Sequence, residues 1–407
     1  MSDSTDKFLN KRIAFVSTMM PTPTNVGGPS SLPFQLIAHR PKGLVIDIYT
    51  FNNNGIQGQY ILDYSEKMKS RIRVISASRK FWICQLKGIR WLLCRLIRKP
   101  FQTLITLPEV LIKDINNNYD AVWIYPHYLL GIANQLNLPL VVTGPDSSVL
   151  HYERCMRDRF ISNSNKLDET GKLLMRAKAL ETAWAGMHNV QLHFVGEADC
   201  RCFLRNNPNG KAFFLRHPSN MPKFKCSTQY DNIIGGKLRV IISGNLNVYT
   251  LSDTDIICRE LCKNAQSLSK KFYFTFVGKG WEDVASTLRL NAFEVTVKKW
   301  VNDYFDELAQ HDLQLFPISV GTGTKGKVLD ALSAGLVCVG SRYAFENIQL
   351  EHGVSAYYYT DAHEIAVLLS QIDKARKGLR AIAQAGHHVV CKDHHPALIS
   401  NEFFHHF

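Results

Sequence analysis

The run Gly321-Thr322-Gly323-Thr324-Lys325-Gly326-Lys327-Val328-Leu329-Asp330-Ala331-Leu332-Ser333-Ala334-Gly335 holds the residue types best suited to chemistry. Glycines let a backbone approach a ligand closely. The stretch from Val328 to Ala334 has helical character, and Gly335 is a good stop for it. A glycine turn that enters a helix gathers free N–H groups and the positive end of the helix dipole. Lys325 and Lys327 add full positive charges. These types in this order make a site for a phosphate or diphosphate, against the plainer reading of a tight turn with solvated lysines.

Gly321 to Lys327 also fits the first seven positions of G-x-x-x-x-G-K-[ST], the loop that cradles nucleoside triphosphates. Position eight is Val328, where a hydroxyl should hold magnesium. An NTP-binding protein of that kind is therefore a minor alternative.

Such a loop needs a strand before it and a helix after it. Leu313 to Phe316 is a short apolar run of the right length for the strand. Similar runs occur at Ile13–Val16, Leu44–Phe51, Arg71–Ser76, Ala121–Tyr125, Leu140–Thr143 and Gln191–Val195. After a Pro- and Gly-containing stretch, Arg216 to Lys237, the series restarts. Its members are Leu238–Ile242, Phe272–Val277, Glu294–Val297, Leu313–Phe316 and Leu336–Gly340, with a helix near Thr254–Ala265. A helix is also predicted over Ser30–Ala38, after a loop with Pro21, Pro23, Gly27, Gly28 and Pro29. Strands alternating with helices predict parallel β-α-β units, here an α/β chain of two doubly wound halves with a cleft between them.

Composition narrows the classes. The 407 residues, 45% hydrophobic and 20% charged, exclude disorder, collagen and a disulfide mini-scaffold. Ten cysteines form no C-x-x-C pair, and Met1 to Asn10 is polar without an apolar core. No secretory signal is read, and the thiols are expected reduced. No apolar run reaches the length of a membrane-spanning helix.

The glycine turn and the helix Asp330-Ala331-Leu332-Ser333-Ala334-Gly335 resemble the donor-binding motif of the family-4 (group 1) glycosyltransferases with the GT-B fold. The resemblance implies two Rossmann-like domains and transfer of a sugar from a nucleotide diphosphate sugar, UDP- or GDP-linked, to a hydroxyl acceptor, with retention of configuration. It implies that Asp330, in place of the usual Glu, accepts hydrogen bonds from the ribose hydroxyls. Backbone amides of Gly321, Thr322, Gly323 and Thr324 would hold the diphosphate with Lys325 and Lys327, and Lys325 would stabilise it as it leaves. The first of the family's paired glutamates falls on Thr322. Gly244-Asn245 resembles the opening glycine turn, Trp300-Val301 the loop that reads the base, and the stretch holding Glu346 the segment after the next strand. Gly27-Gly28 resembles the loop that touches the donor phosphate. Of the family's His-Asp pair, Asp146 matches; His127 and His151 are substitutes by proximity. No cofactor and no metal are expected.

Charge is the second signal. Lys plus Arg total 48 against 35 Asp plus Glu, a formal +13. From Lys67 to Pro108 there is no acidic residue. Within that stretch Trp82, Leu86, Ile89, Leu93 and Leu96 recur at helical spacing, with Lys80, Lys87, Arg95 and Arg98 toward the other side, Arg90 at the flank and Trp91 interrupting the polar face. A basic amphipathic helix with tryptophans suits an anionic membrane surface. No nucleic-acid module is visible. The chain is therefore read as a cytoplasmic enzyme held peripherally at the inner face of the cytoplasmic membrane. Its acceptor would be lipid-linked, as in lipopolysaccharide or capsule assembly. A nucleotide-sugar-binding or scaffold protein without catalysis is the alternative.

The expected domains are an acceptor-binding Rossmann-like domain over 1–220 with its membrane-facing segment at about 79–99, a linker over 221–237, a nucleotide-sugar-binding domain over 238–375, and a tail over 376–407 that packs back on the first domain. The cluster His387, His388, Cys391, His394 and His395 is read as a solvated tail rather than a zinc site.

Overall fold

Every strand of both sheets runs parallel to its neighbours, as the alternating pattern requires. The computed structural model describes residues 8–23, 28–76, 89, 92, 96, 104–144, 146–157, 164–221 and 236–407. The chain divides into two compact units, one made of Met1–Pro218 with Pro396–Phe407, the other of Ser219–His395.

The first unit carries β1 (Arg12–Ser17), β2 (Val45–Thr50), β3 (Ile72–Val74), β4 (Ala121–Tyr125), β5 (Leu140–Thr143), β6 (Val190–Phe194) and β7 (Ala212–Phe214), in the spatial order β3-β2-β1-β4-β5-β6-β7. Residues of β4 and β5 are buried throughout, as expected of a sheet covered on both faces. The order reverses between β1 and β4, which opens a crevice at the carboxyl ends there.

The helix Pro396–Phe404 belongs to this unit. Phe403 and Phe404 are fully buried, Phe403 lies 4.9 Å from the Trp123 ring, and Ser400 Oγ donates to the Leu36 carbonyl at 2.7 Å. The expected returning tail differs in extent. The helix Leu379–Asp393 stays with the second unit, and only the last residues join the first.

The second unit carries β8 (Leu238–Ser243), β9 (Phe272–Val277), β10 (Glu294–Lys298), β11 (Leu313–Phe316), β12 (Val337–Ser341) and β13 (Tyr357–Tyr359), ordered β10-β9-β8-β11-β12-β13. Its reversal lies between β8 and β11. β7 and β13 had no strong sequence signal, being three residues each and at sheet edges.

Of the basic segment, Lys80, Trp82, Lys87, Arg90, Trp91, Arg95 and Arg98 lie outside the described residues, as does most of the expected linker. Ile89, Leu92 and Leu96 are helical and exposed. Arg71 and Arg73 are committed elsewhere: both pair with Asp114, at 3.3 and 2.9 Å. Among the described residues no helix is long and apolar enough to cross a membrane.

Candidate active site

In the second unit the site grows from the reversal between β8 and β11. β8 ends at Ser243, and Gly244 follows at φ +109°. A Cβ there would collide with the Lys327 ammonium, so only glycine allows this approach. Gly278, after β9 at φ +130°, packs against the Gly244 carbonyl in the same way. The turn is pinned from three sides. Trp281 Nε1 donates to the Gly244 carbonyl at 2.7 Å, Asn245 Oδ1 accepts from the Lys279 amide at 2.9 Å, and the Leu246 amide donates to the Lys279 carbonyl at 2.9 Å.

The second wall follows β11. Ser319 donates through its amide to the Tyr249 carbonyl at 2.8 Å, tying this loop to the one after β8. Gly321, Gly323 and Thr324 are buried, and the helix Gly326–Ala334 starts directly after them. The Val328 amide donates to the Lys325 carbonyl at 2.9 Å, so helix geometry leaves the amides of Gly326 and Lys327, ahead of it, without an intrahelical acceptor. Gly335 closes the helix in the left-handed region at φ +91°.

The two lysines of the motif do different things. Lys325 occupies the N-cap position, and its ammonium donates to the carbonyls of Thr322 at 2.5 Å and Gly323 at 2.9 Å. Lys327 stands in the first turn with its ammonium over Gly244. Desolvation by the surrounding protein lowers the Lys327 pKa, and the Asp330 charge opposes that shift. A cation held against two glycine turns and a helix N-terminus has the charge and donors suited to an anion.

One turn further along the helix stands Asp330. Burial is the main cause that pushes its carboxyl up to about 6, while a hydrogen bond from Asn220 and the Lys327 charge act downward. Asn220 Nδ2 donates to Asp330 Oδ1 at 2.8 Å. Close by, Gln314 Nε2 donates to Ser243 Oγ at 2.7 Å and to Tyr304 Oη at 3.0 Å, while Ser243 Oγ and Tyr304 Oη share a further bond at 2.7 Å. Burial raises the Tyr304 phenol, and the Asp330 charge adds to that. This hydroxyl and amide triad spans β8, β11 and the helix Tyr304–Leu308 beneath the site.

Trp300 lies in the loop after β10 and is 67% exposed, an open aromatic face at the edge of the same sheet end. Val301 packs partly into the core behind it, and Asp303 starts the next helix by accepting from Phe305 and Asp306 amides at 2.8 and 3.0 Å. Glu346 is half-buried in the turn after β12. Gly244, Asn245, Trp300, Val301, the Gly321–Lys327 stretch, Asp330 and Glu346 thus belong to loops and helix starts at the carboxyl ends of one sheet.

In the first unit, His127 follows β4. Burial drives its pKa down to about 4, so the imidazole is neutral at physiological pH. Its Nδ1 is buried without a hydrogen-bond partner. Gly144, after β5, packs on the ring: a Cβ there would stand 3.2 Å from His127 Cβ. Asp146, exposed, lies two residues beyond Gly144. His127 therefore stands against the segment that bears Asp146, whereas His151 sits within its own helix, its Nε2 3.5 Å from Cys155 Sγ. Gly28 opens the helix Gly28–Ala38 instead of lying in a loop, and Gly27 is outside the described residues.

The histidines near the C-terminus form no solvated tail. His387 Nδ1 bonds the Ser333 carbonyl at 3.0 Å and its Nε2 lies 3.1 Å from Cys391 Sγ, while His394 is fully buried. Among the described residues no group of three or more His, Cys, Asp and Glu is placed to hold a metal.

Sequence reading missed Asn220, Gly278, and the Ser243–Tyr304–Gln314 triad. Gly278 had a signal, a glycine directly after a strong strand; Asn220 followed a His-Pro turn and looked like linker.

Residues 237–374 match the family model described as Glycosyl transferases group 1. HepE of Anabaena, solved with UDP and glucose, aligns over 97% of this chain and 98% of its own, at 14% identity and a TM-score of 0.64. Sucrose-phosphate synthase of Thermosynechococcus elongatus gives 0.65 at 14% identity with the same coverage. The trehalose-6-phosphate synthase OtsA gives 0.61 at 11% identity, again covering 97% and 98%. Curated protein sequences gave no match.

Proposed function

We propose that this chain, which has the GT-B fold and matches the group 1 glycosyltransferase model over residues 237–374, is a glycosyltransferase that moves a hexose from a UDP-sugar to a hydroxyl of a lipid-linked envelope glycan. One observation carries the donor assignment: the Lys327 ammonium over Gly244, at a helix N-terminus and one turn from the half-buried Asp330 carboxylate. A diphosphate and a ribose diol are the chemistry that fits this set. UDP is chosen over GDP because HepE, at full coverage, was solved with UDP and UDP-glucose.

In the reaction the bond between the anomeric carbon and the diphosphate oxygen breaks, and the acceptor oxygen bonds to that carbon. Negative charge builds on the leaving diphosphate. Lys327 and the amides from Gly321 to Gly326 meet it in place, which is where preorganised charge lowers a barrier most. Lys325 joins them on leaving its loop carbonyls. The acceptor proton passes to the departing phosphate oxygen. Neutral His127 and Asp146 orient the acceptor hydroxyl in the first unit. These groups neutralise the diphosphate without a divalent ion, so chelation with EDTA should leave the rate unchanged.

The acceptor reading rests on the acid-free basic stretch and on the exposed helical Ile89, Leu92 and Leu96. It places the enzyme peripherally at the cytoplasmic membrane face. A thermal-shift panel of UDP, GDP, ADP and dTDP tests the donor, since a specific ligand of the folded state raises its melting temperature. UDP should give the largest shift. A larger shift with GDP would replace the base assignment, and no shift with any of the four would overturn the site.

A further inference from the structure

Ser147 is held by two buried carboxylates from two different helices. Glu181, on the helix Ser164–Ala185, accepts from Ser147 Oγ at 2.8 Å and from the Val149 amide at 3.2 Å. Asp199, on the helix Glu197–Asn206, accepts from the Ser147 amide at 2.7 Å. Ser147 Oγ in turn accepts from the Leu150 amide at 3.2 Å, starting the helix Ser148–Arg157. Ser147, Glu181 and Asp199 are 1%, 5% and 0% exposed.

Burying two carboxylates side by side is costly unless the arrangement is needed. A plain helix start is satisfied by one serine. Here the extra acids converge on the single residue that follows Asp146, while Gly144 on the other side is packed under His127. The segment is thus fixed at both ends, and its exposed member is Asp146.

We propose that Glu181 and Asp199 are positioning residues, gripping Ser147 so that the Asp146 carboxylate, next to it in the chain, is held in its working place. The proposal rests on the reading of Asp146 given above. It goes beyond that reading by assigning a device on two further helices.

The clamp is sensitive to protons. Burial is the largest cause raising Glu181 to about 7, and the charges of Asp199 and Glu153 add to it, while the bonds from Ser147 and Val149 oppose. Glu153 faces Lys178 and Arg205, at 3.7 and 2.8 Å. A folded-state pKa above the unfolded value means that the folded form holds the extra proton. The contribution of Glu181 to stability is present at acid pH and is lost as pH rises from about 4.5 through 7. E181Q keeps the shape and the acceptor oxygen and has no proton to lose.

Two measurements decide. The protection factor of the peptide spanning 146–152 against hydrogen exchange should fall at least tenfold in E181A and S147A, stay near wild type in E181Q, and lose its dependence on pH between 6 and 8 in E181Q. Hydrolysis of UDP-glucose should then fall about tenfold in kcat for E181A with UDP affinity by calorimetry unchanged, and E181Q should restore it with a flatter pH profile near 7. Unchanged exchange in E181A overturns the clamp, whatever the activity. A lower melting temperature with wild-type kcat and exchange in E181A would make Glu181 merely structural and also overturn it. D146N with full activity would instead overturn the reading of Asp146 and leave the exchange result standing.

Discussion

The ammonium of Lys327 stands where a side chain on Gly244 would have to go. Two residues far apart in sequence are so brought together by the β8–β11 reversal, and each explains the other. The missing side chain of the glycine admits the lysine, and under the proposed function the lysine meets the diphosphate charge.

G244A therefore has two faults. Its φ of +109° is strained for any residue with a Cβ, and the methyl group would evict the ammonium. UDP affinity should fall at least as far as in K327A, for which about 2 kcal/mol is expected from loss of one charge-assisted contact. K325A should cost about 2 kcal/mol as well if that lysine turns to the diphosphate. Calorimetry with UDP checks all three; wild-type affinity in K327A would remove the lysine from the site.

Asp330 supplies the pH dependence. Its carboxyl titrates near 6, above its ordinary value, because it is buried. In the free protein the stability it contributes is lost as pH rises from about 4 through 6. Ribose binding uses the ionised form, which accepts from both hydroxyls. UDP should accordingly bind more tightly at pH 7.5 than at 5.5 in wild type. D330N loses this component and keeps only that of the UDP phosphate itself. A 2′,3′-dideoxy nucleotide should bind wild type poorly and D330N no worse. Equal wild-type affinity for the ribose and dideoxyribose forms would sink the role.

Asn220 holds that carboxylate from a segment that sequence reading passed over as linker. N220A removes a donor to a half-buried acid, so the Asp330 pKa should rise further and the pH dependence of UDP binding should move upward. N220D should be worse, placing a second carboxylate 2.8 Å away. An unmoved pH midpoint in N220A would show that Asn220 does not act on Asp330.

What was legible depended on distance along the chain. The buried strands announce themselves as short apolar runs, so both parallel sheets and the helix from Gly326 could be read from periodicity. The two lysines of the glycine motif looked alike in sequence. They differ because Lys325 sits at the N-cap, with ψ near 102°, and folds back on its own loop, while Lys327, two residues on, reaches a different strand's end. The Ser147 clamp was invisible for the same reason: Glu181 and Asp199 meet only once two helices have packed. The histidine-rich end misled because composition suggests solvent, whereas His387 caps the Ser333 carbonyl at the end of the donor helix.

Membrane binding is the remaining prediction. The stretch Lys67 to Pro108 has no acidic residue, and its described helical positions Ile89, Leu92 and Leu96 are exposed, at 46%, 48% and 71%. Apolar side chains left outside the core beside a basic run suit the boundary of an anionic bilayer. The protein should sediment with vesicles containing anionic lipid and much less with neutral ones. Salt should weaken binding, because exposed charges are screened over roughly 8 Å at physiological ionic strength. Each basic residue near such a surface adds roughly 1 kcal/mol. Changing Lys80, Lys87, Arg95 and Arg98 together to Glu should thus cost at least about 4 kcal/mol, on the order of a thousandfold. Donor hydrolysis should be retained, since none of these four residues belongs to the proposed donor or acceptor groups. Trp82 and Trp91 give a built-in probe, with emission shifting blue as they enter the interface. A wild-type protein that stays in the supernatant with anionic vesicles at low salt would leave the acceptor without its main reason to be lipid-linked.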